Sequence, residues 1–174
     1  MGAMFGKWLR QERRAPAAGG GGALRESVER ELPEADAETV TVVSSMIGLL
    51  GAVAYADRNY SSAEEVHVRE ELSRVHGMTA QGIDAICTVL REHVVEISTV
   101  EIPRFARALV ELADDELRRE VLGALVALAA ADESITLAET NLLRQITKSL
   151  GLSQQDYLEA QQRHRQHLSS LKPG

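Results

Sequence analysis

Two stretches of this chain place oxygen-bearing side chains in an order that hard cations use. Asp57, Asn59, Ser61 and Glu64 fall close together, and Asp132 and Glu139 repeat the outer carboxylates at the same separation. Carboxylate, amide and hydroxyl oxygens are the donors Ca²⁺ takes. Asp57, Asn59, Glu64, Asp132 and Glu139 are therefore candidate ligands for weak binding of a divalent cation such as Ca²⁺. An EF-hand is excluded, because its sixth place needs glycine and its twelfth glutamate. Counted from Asp57 those places hold Ser62 and Val68, and from Asp132 they hold Leu137 and Leu143. The competing role is helix capping. Ser61 with Glu64, and Thr136 with Glu139, have the spacing of capping boxes, while Asp57 and Asp132 can brace the turns. Three or four oxygens are few for tight Ca²⁺ binding, which favours capping unless both turns combine.

No other constellation assembles a catalytic centre. Cys87 lies on an apolar helical face with no recognisable His and Asp or Asn pattern, so it reads as a small core residue. His164 and His167 have an i,i+3 spacing that suits a shared metal, but their polar C-terminal setting reads as a solvated tail. His93, beside Glu92 and Glu96, reads as a surface contact. The glycines at 19–22 follow no strand and precede no Lys-Ser/Thr, so they form no phosphate loop, and G-x-S-x-G does not occur. A hydrolytic enzyme built on the paired carboxylates would lack an accompanying base or nucleophile. The expectation is a non-enzymatic protein with no catalytic residue.

The N-terminal segment is a second candidate site. Phe5, Trp8 and Leu9 recur at helical spacing among Lys7, Arg10, Arg13 and Arg14. Phe5, Lys7, Trp8, Leu9 and Arg10 suit a membrane surface or a partner groove. Residues 15–23, APAAGGGGA, read as a flexible tether. The organisation expected is thus 1–23 as a basic, aromatic segment with its tether, and 24–171 as a helical domain.

The elements that would position these residues are all helical. In 174 residues aromatics make up only 3%, and β-branched residues are scattered among the good helix formers Ala, Leu, Glu, Arg and Gln. Proline is absent between Pro33 and Pro103 and again from there to Pro173, as long helices require. Apolar spacing and cap residues divide the domain into eight helices. Their N-caps include Asp36, Ser61, Thr79, Asp114, Thr136 and Ser153, with Pro103 opening one helix and Gly77 and Gly151 closing two. The expected fold is all-α, one bundle of seven to eight helices with a flexible N-terminal extension. A formal charge of −7 argues against nucleic acid as a partner. One cysteine excludes an intramolecular disulfide, and the apolar run from Leu122 to Ala131 is too short to span a bilayer.

The bundle is expected to arise from a duplicated helical hairpin. Leu50–Asp57, LGAVAYAD, matches Leu125–Asp132, LVALAAAD, at an offset of 75 residues, and Ala63-Glu64 matches Ala138-Glu139. At these residues the chain resembles the TerB-like family, the tellurite-resistance-associated all-helical domain. The family's hallmark is an alanine-rich helix ending in Ala-Asp-Gly, an acidic turn, then Glu-Glu opening the next helix. The resemblance runs from about Val40 to His167. It implies a cytoplasmic interaction or stress-response module with a protein partner, linked to tellurite or metal stress and sited near the inner membrane face. A membrane-surface adaptor acting through Trp8 is the alternative. The family's glycine is Arg58 in the first copy and Glu133 in the second, and Thr140 replaces the second Glu. Glycine there allows positive φ, so Arg58 is expected to be strained.

Overall fold

Most helices of the fold start at a side chain that satisfies their first free N–H groups, while α5 starts with a proline in its first turn. The computed structural model describes residues 19–131 and 134–171. Among these it has eight α-helices and no strand: α1 (Gly20–Glu31), α2 (Ala37–Ala54), α3 (Ser62–Ser73), α4 (Ala80–Glu96), α5 (Ile102–Leu112), α6 (Asp115–Ala129), α7 (Leu137–Ser149) and α8 (Gln154–Leu171). Asp36, Thr79 and Asp114 accept from the N–H three residues on, at 2.8, 3.0 and 2.8 Å. Gly151 closes α7 and Gly77 turns the link between α3 and α4, with φ of 69° and 86°, the left-handed region glycine takes without strain.

The centre of the bundle is α2, whose sequence is apolar on nearly every side. By length and composition it would cross a membrane, yet two thirds of it is buried inside the protein. It packs against α1, α3, α5 and α6, and Ile47, Leu49, Leu50, Ala52 and Val53 have no exposed surface. The two alanine-rich helices of the repeat, α2 and α6, lie against each other, so the duplication shares one core.

Two features depart from the sequence-based expectation. Residues 20–23 do not form a tether; they are the first turn of α1, and Gly20, Gly21 and Gly22 are buried. Four glycines weaken a helix start, but without side chains the backbone can lie directly on α4. A Cβ at Gly20 would sit 2.9 Å from the His93 Cβ, and one at Gly21 would sit 2.8 Å from Glu101 Oε2. The Gly20 N–H donates to Glu96 Oε2 at 2.8 Å, so a carboxylate from α4 caps this helix. The folded part therefore begins before Leu24. The second departure is a π-helical turn, Ile97–Glu101, joining α4 to α5. Pro103 has no N–H and its ring crowds the carbonyl four residues back, which widens the ladder there.

Candidate functional site

The two acidic turns are built by the same local code. In the first, the Ser61 N–H donates to Glu64 Oε2 at 2.8 Å and the Glu64 N–H donates to Ser61 Oγ at 3.2 Å. In the second, the Thr136 N–H donates to Glu139 Oε2 at 2.6 Å, and the Glu139 N–H donates to Thr136 Oγ1 at 3.2 Å. Both are complete capping boxes, and Glu64 and Glu139 are only 3% and 4% exposed. Asp57 Oδ1 accepts from the Asn59 N–H at 2.8 Å, and both residues are exposed. Asp132 lies outside the described residues, as do Phe5, Lys7, Trp8, Leu9 and Arg10. Among the described residues no three His, Cys, Asp or Glu side chains gather as a metal site.

Glu65 does something different from its neighbour. It accepts from Arg91 of α4 at 2.8 Å to each oxygen and from Arg69 at 3.1 Å, while Arg69 also reaches Asp84 at 2.5 Å. The hydrogen bonds from Arg91, with those from Arg69, hold the Glu65 carboxyl below its ordinary pKa. Beneath this ion network the Cys87 thiol is fully buried, which pushes its pKa up and keeps it protonated. The network ties α3 to α4.

An opening lies on the other side of α3. A groove of about 840 Å³ runs between α3 and α8, with α6 as its floor. Gly123, Ala124, Ala127, Ala130 and Ala131 supply that floor, at spacings that keep them on one face of the helix and its end. A Cβ added at Gly123 would meet nothing within 4 Å. His67, Glu70, Glu71 and Arg74 form the α3 rim, and Arg163, His164 and His167 form the α8 rim. Glu71 is paired with Arg74 at 2.7 Å, and Arg119 with Asp156 at 2.8 Å. Glu120 on α6 and Arg163 on α8 also line the opening.

The two capping boxes stand at the places where the sequence resembles the TerB-like family. The family model described as "Tellurite resistance protein TerB" matches residues 44–162. The chain belongs to the TerB family. No curated protein and no solved structure matches it.

In this TerB domain Arg58 occupies the position of the hallmark glycine, and its φ is 65°. That is the left-handed region expected for glycine, so the turn keeps its shape although the side chain is disfavoured there. The groove was not foreseen from the sequence. Its floor is defined by small residues, and Gly123 or Ala127 reads like any core position until their neighbours are placed. The polar sequence around His164 suggests a solvated tail, and the structure differs. The side chain is half-buried in the groove, and its Nε2 is shielded and has no hydrogen-bond partner among the described residues. The signal that marks it is the apolar series Tyr157, Ala160, His164, which puts the ring on the inner face of α8.

Proposed function

We propose that this TerB domain is a non-enzymatic interaction module of the cytoplasm, linked to tellurite or metal stress, and that its groove seats a basic amphipathic helix of a partner protein. The observation that carries this reading is the α6 floor. Small residues from Gly123 to Ala131 allow a second helix to approach closely, and the two rims would flank it. Charge selects the occupant. Of the 19 basic and 26 acidic residues, four basic and one acidic precede residue 15, leaving a formal charge of −10 on the rest. Such a field draws cationic segments, and at the seat Glu71 and Asp156 already pair with Arg74 and Arg119, so that Glu70 and Glu120 stand against Arg163. The family kinship supports the stress link. A single, buried free thiol suits a reducing compartment. The capping boxes support a structural role for Glu64 and Glu139, so the docking reading does not require a bound cation.

The test is fluorescence anisotropy with two labelled synthetic helices, one of Leu and Lys and one of Leu and Glu. Binding of the Leu/Lys helix alone, weakened at least tenfold by Gly123→Leu, is the expected result. That substitution fills the floor and leaves the charge unchanged. Equal binding of both helices, or no effect of Gly123→Leu, would refute the docking reading.

A further inference from the structure

The two rims of the groove are joined by little besides their shared floor. Helix α8 packs on α6 and α7, and α3 packs on α6, while α3 and α8 make no comparable contact with each other. Across this gap the histidines converge: His67 from α3, and His164 and His167 from α8. His164 Nε2 is out of contact with solvent and lacks a hydrogen-bond partner among the described residues. A neutral imidazole tolerates that position, because one ring nitrogen then needs no donor partner. An imidazolium carries an N–H on both nitrogens, and here one of them would be buried without an acceptor.

We propose that these histidines make the groove a proton-operated latch, in which protonation of His164 drives the α3 and α8 rims apart. The inference concerns the regulation of the docking groove and rests on that reading only for its consequence, the release of a partner. The charges around His164 set the direction. On α8 it has Arg163 and His167; from α3 it faces His67 and Arg74; from α6 come Arg119 and Glu120. The acidic groups of α3 are already engaged, Glu71 with Arg74 at 2.7 Å and Glu70 with His67 Nδ1 at 3.5 Å. Helix α7 contributes nothing to the groove lining. Acidification therefore adds positive charge to both rims, with Glu120 the one acidic group that α6 contributes to the groove lining to oppose it. Burial first, then the fields of His67 and His167, hold the His164 pKa below its ordinary value. The latch consequently stays neutral near pH 7 and operates below about pH 6.5, the ordinary histidine range. A basic helix seated in the groove would be repelled by the same protons that widen it.

Nuclear magnetic resonance on the full chain tests this without any partner. The imidazole resonance of His164 and the amide resonances of Gly123 and Ala127 are followed from pH 8 to pH 5. The expected result is a His164 midpoint below that of a histidine in an unstructured peptide, with the floor amides moving at that same midpoint. In His167→Gln the midpoint should rise and the coupled movement persist; in His164→Gln the movement at that midpoint should vanish. A His164 midpoint equal to or above that of the peptide histidine, or floor amides that keep their transition in His164→Gln, would overturn the latch. Failure of the latch leaves the helix-binding assay unaffected, and failure of helix binding leaves this titration unaffected.

Discussion

Glu64 and Glu139 make the same bond 75 residues apart: each carboxylate accepts the backbone N–H of the residue three before it, Ser61 at 2.8 Å and Thr136 at 2.6 Å. Their side chains are buried at the two turns where the sequence also offers candidate cation ligands. Glu64→Ala and Glu139→Ala should therefore each destabilise the domain by about 1 kcal/mol. Thermal melts followed by circular dichroism measure this. Millimolar Ca²⁺ should leave the wild-type melting temperature unchanged, whereas a cation at 100 times its dissociation constant would add about 2.7 kcal/mol.

Arg58 sits at φ 65° in the turn between α2 and α3. A non-glycine residue in that region costs about 1–2 kcal/mol, and glycine's larger unfolded-state entropy returns part of the difference. Arg58→Gly should stabilise the domain by about 0.5–1 kcal/mol, as read from the midpoint of urea unfolding.

Gly48 and Gly123 are both inside helices, so replacing either with alanine makes the same gain in helix propensity, up to about 1 kcal/mol. Their surroundings differ. A Cβ at Gly48 would lie 2.3 Å from Phe105 Cε2, in the buried contact of α2 with α5, whereas one at Gly123 meets open space. Gly48→Ala should destabilise by about 1–3 kcal/mol and Gly123→Ala should stabilise. Paired melts decide the signs.

Asp156 supplies a pH-dependent contribution of known direction. Hydrogen bonds from Ser153, then from Arg119, lower its pKa to about 2. A depressed folded-state pKa contributes stability that is present above the ordinary value of 3.8 and lost as pH falls towards 2. Asp156→Asn should cost about 1 kcal/mol at pH 7, a modest figure for a surface pair. In urea unfolding the gap from wild type should close between pH 4 and pH 2.

The helices and their starts were legible because capping is a short-range code: Asp36, Ser61, Thr79, Asp114 and Thr136 each satisfy an N–H within three residues. Ser61 with Glu64 and Ser62 with Glu65 share the spacing of a capping box; the structure forms the first, and Glu65 pairs with Arg69 and Arg91. Gly20–Gly22 was not legible. A glycine run serves equally as a linker or as a close-packed backbone, and the deciding partners, His93, Glu96 and Glu101, lie some 70 to 80 residues away. The groove was hidden for a related reason. Alanines at 124, 127, 130 and 131 suit a buried helix face as well as an open floor, and only the placement of α3 and α8 distinguishes them. His164 was misplaced because its setting is made by α6 and by His67 of α3, not by its neighbours in sequence.

The docking role of the groove is tested most directly inside the cell. A photo-cross-linking amino acid is placed at Ala127, on the floor, and in a second variant at Val95, an exposed position 58% accessible on α4. The groove account predicts an adduct from Ala127, weaker in the presence of Gly123→Leu and absent from Val95, whose cross-linked segment is a basic amphipathic helix. No adduct at Ala127, an equal yield from Val95, or a cross-linked segment that is neither basic nor amphipathic would contradict it.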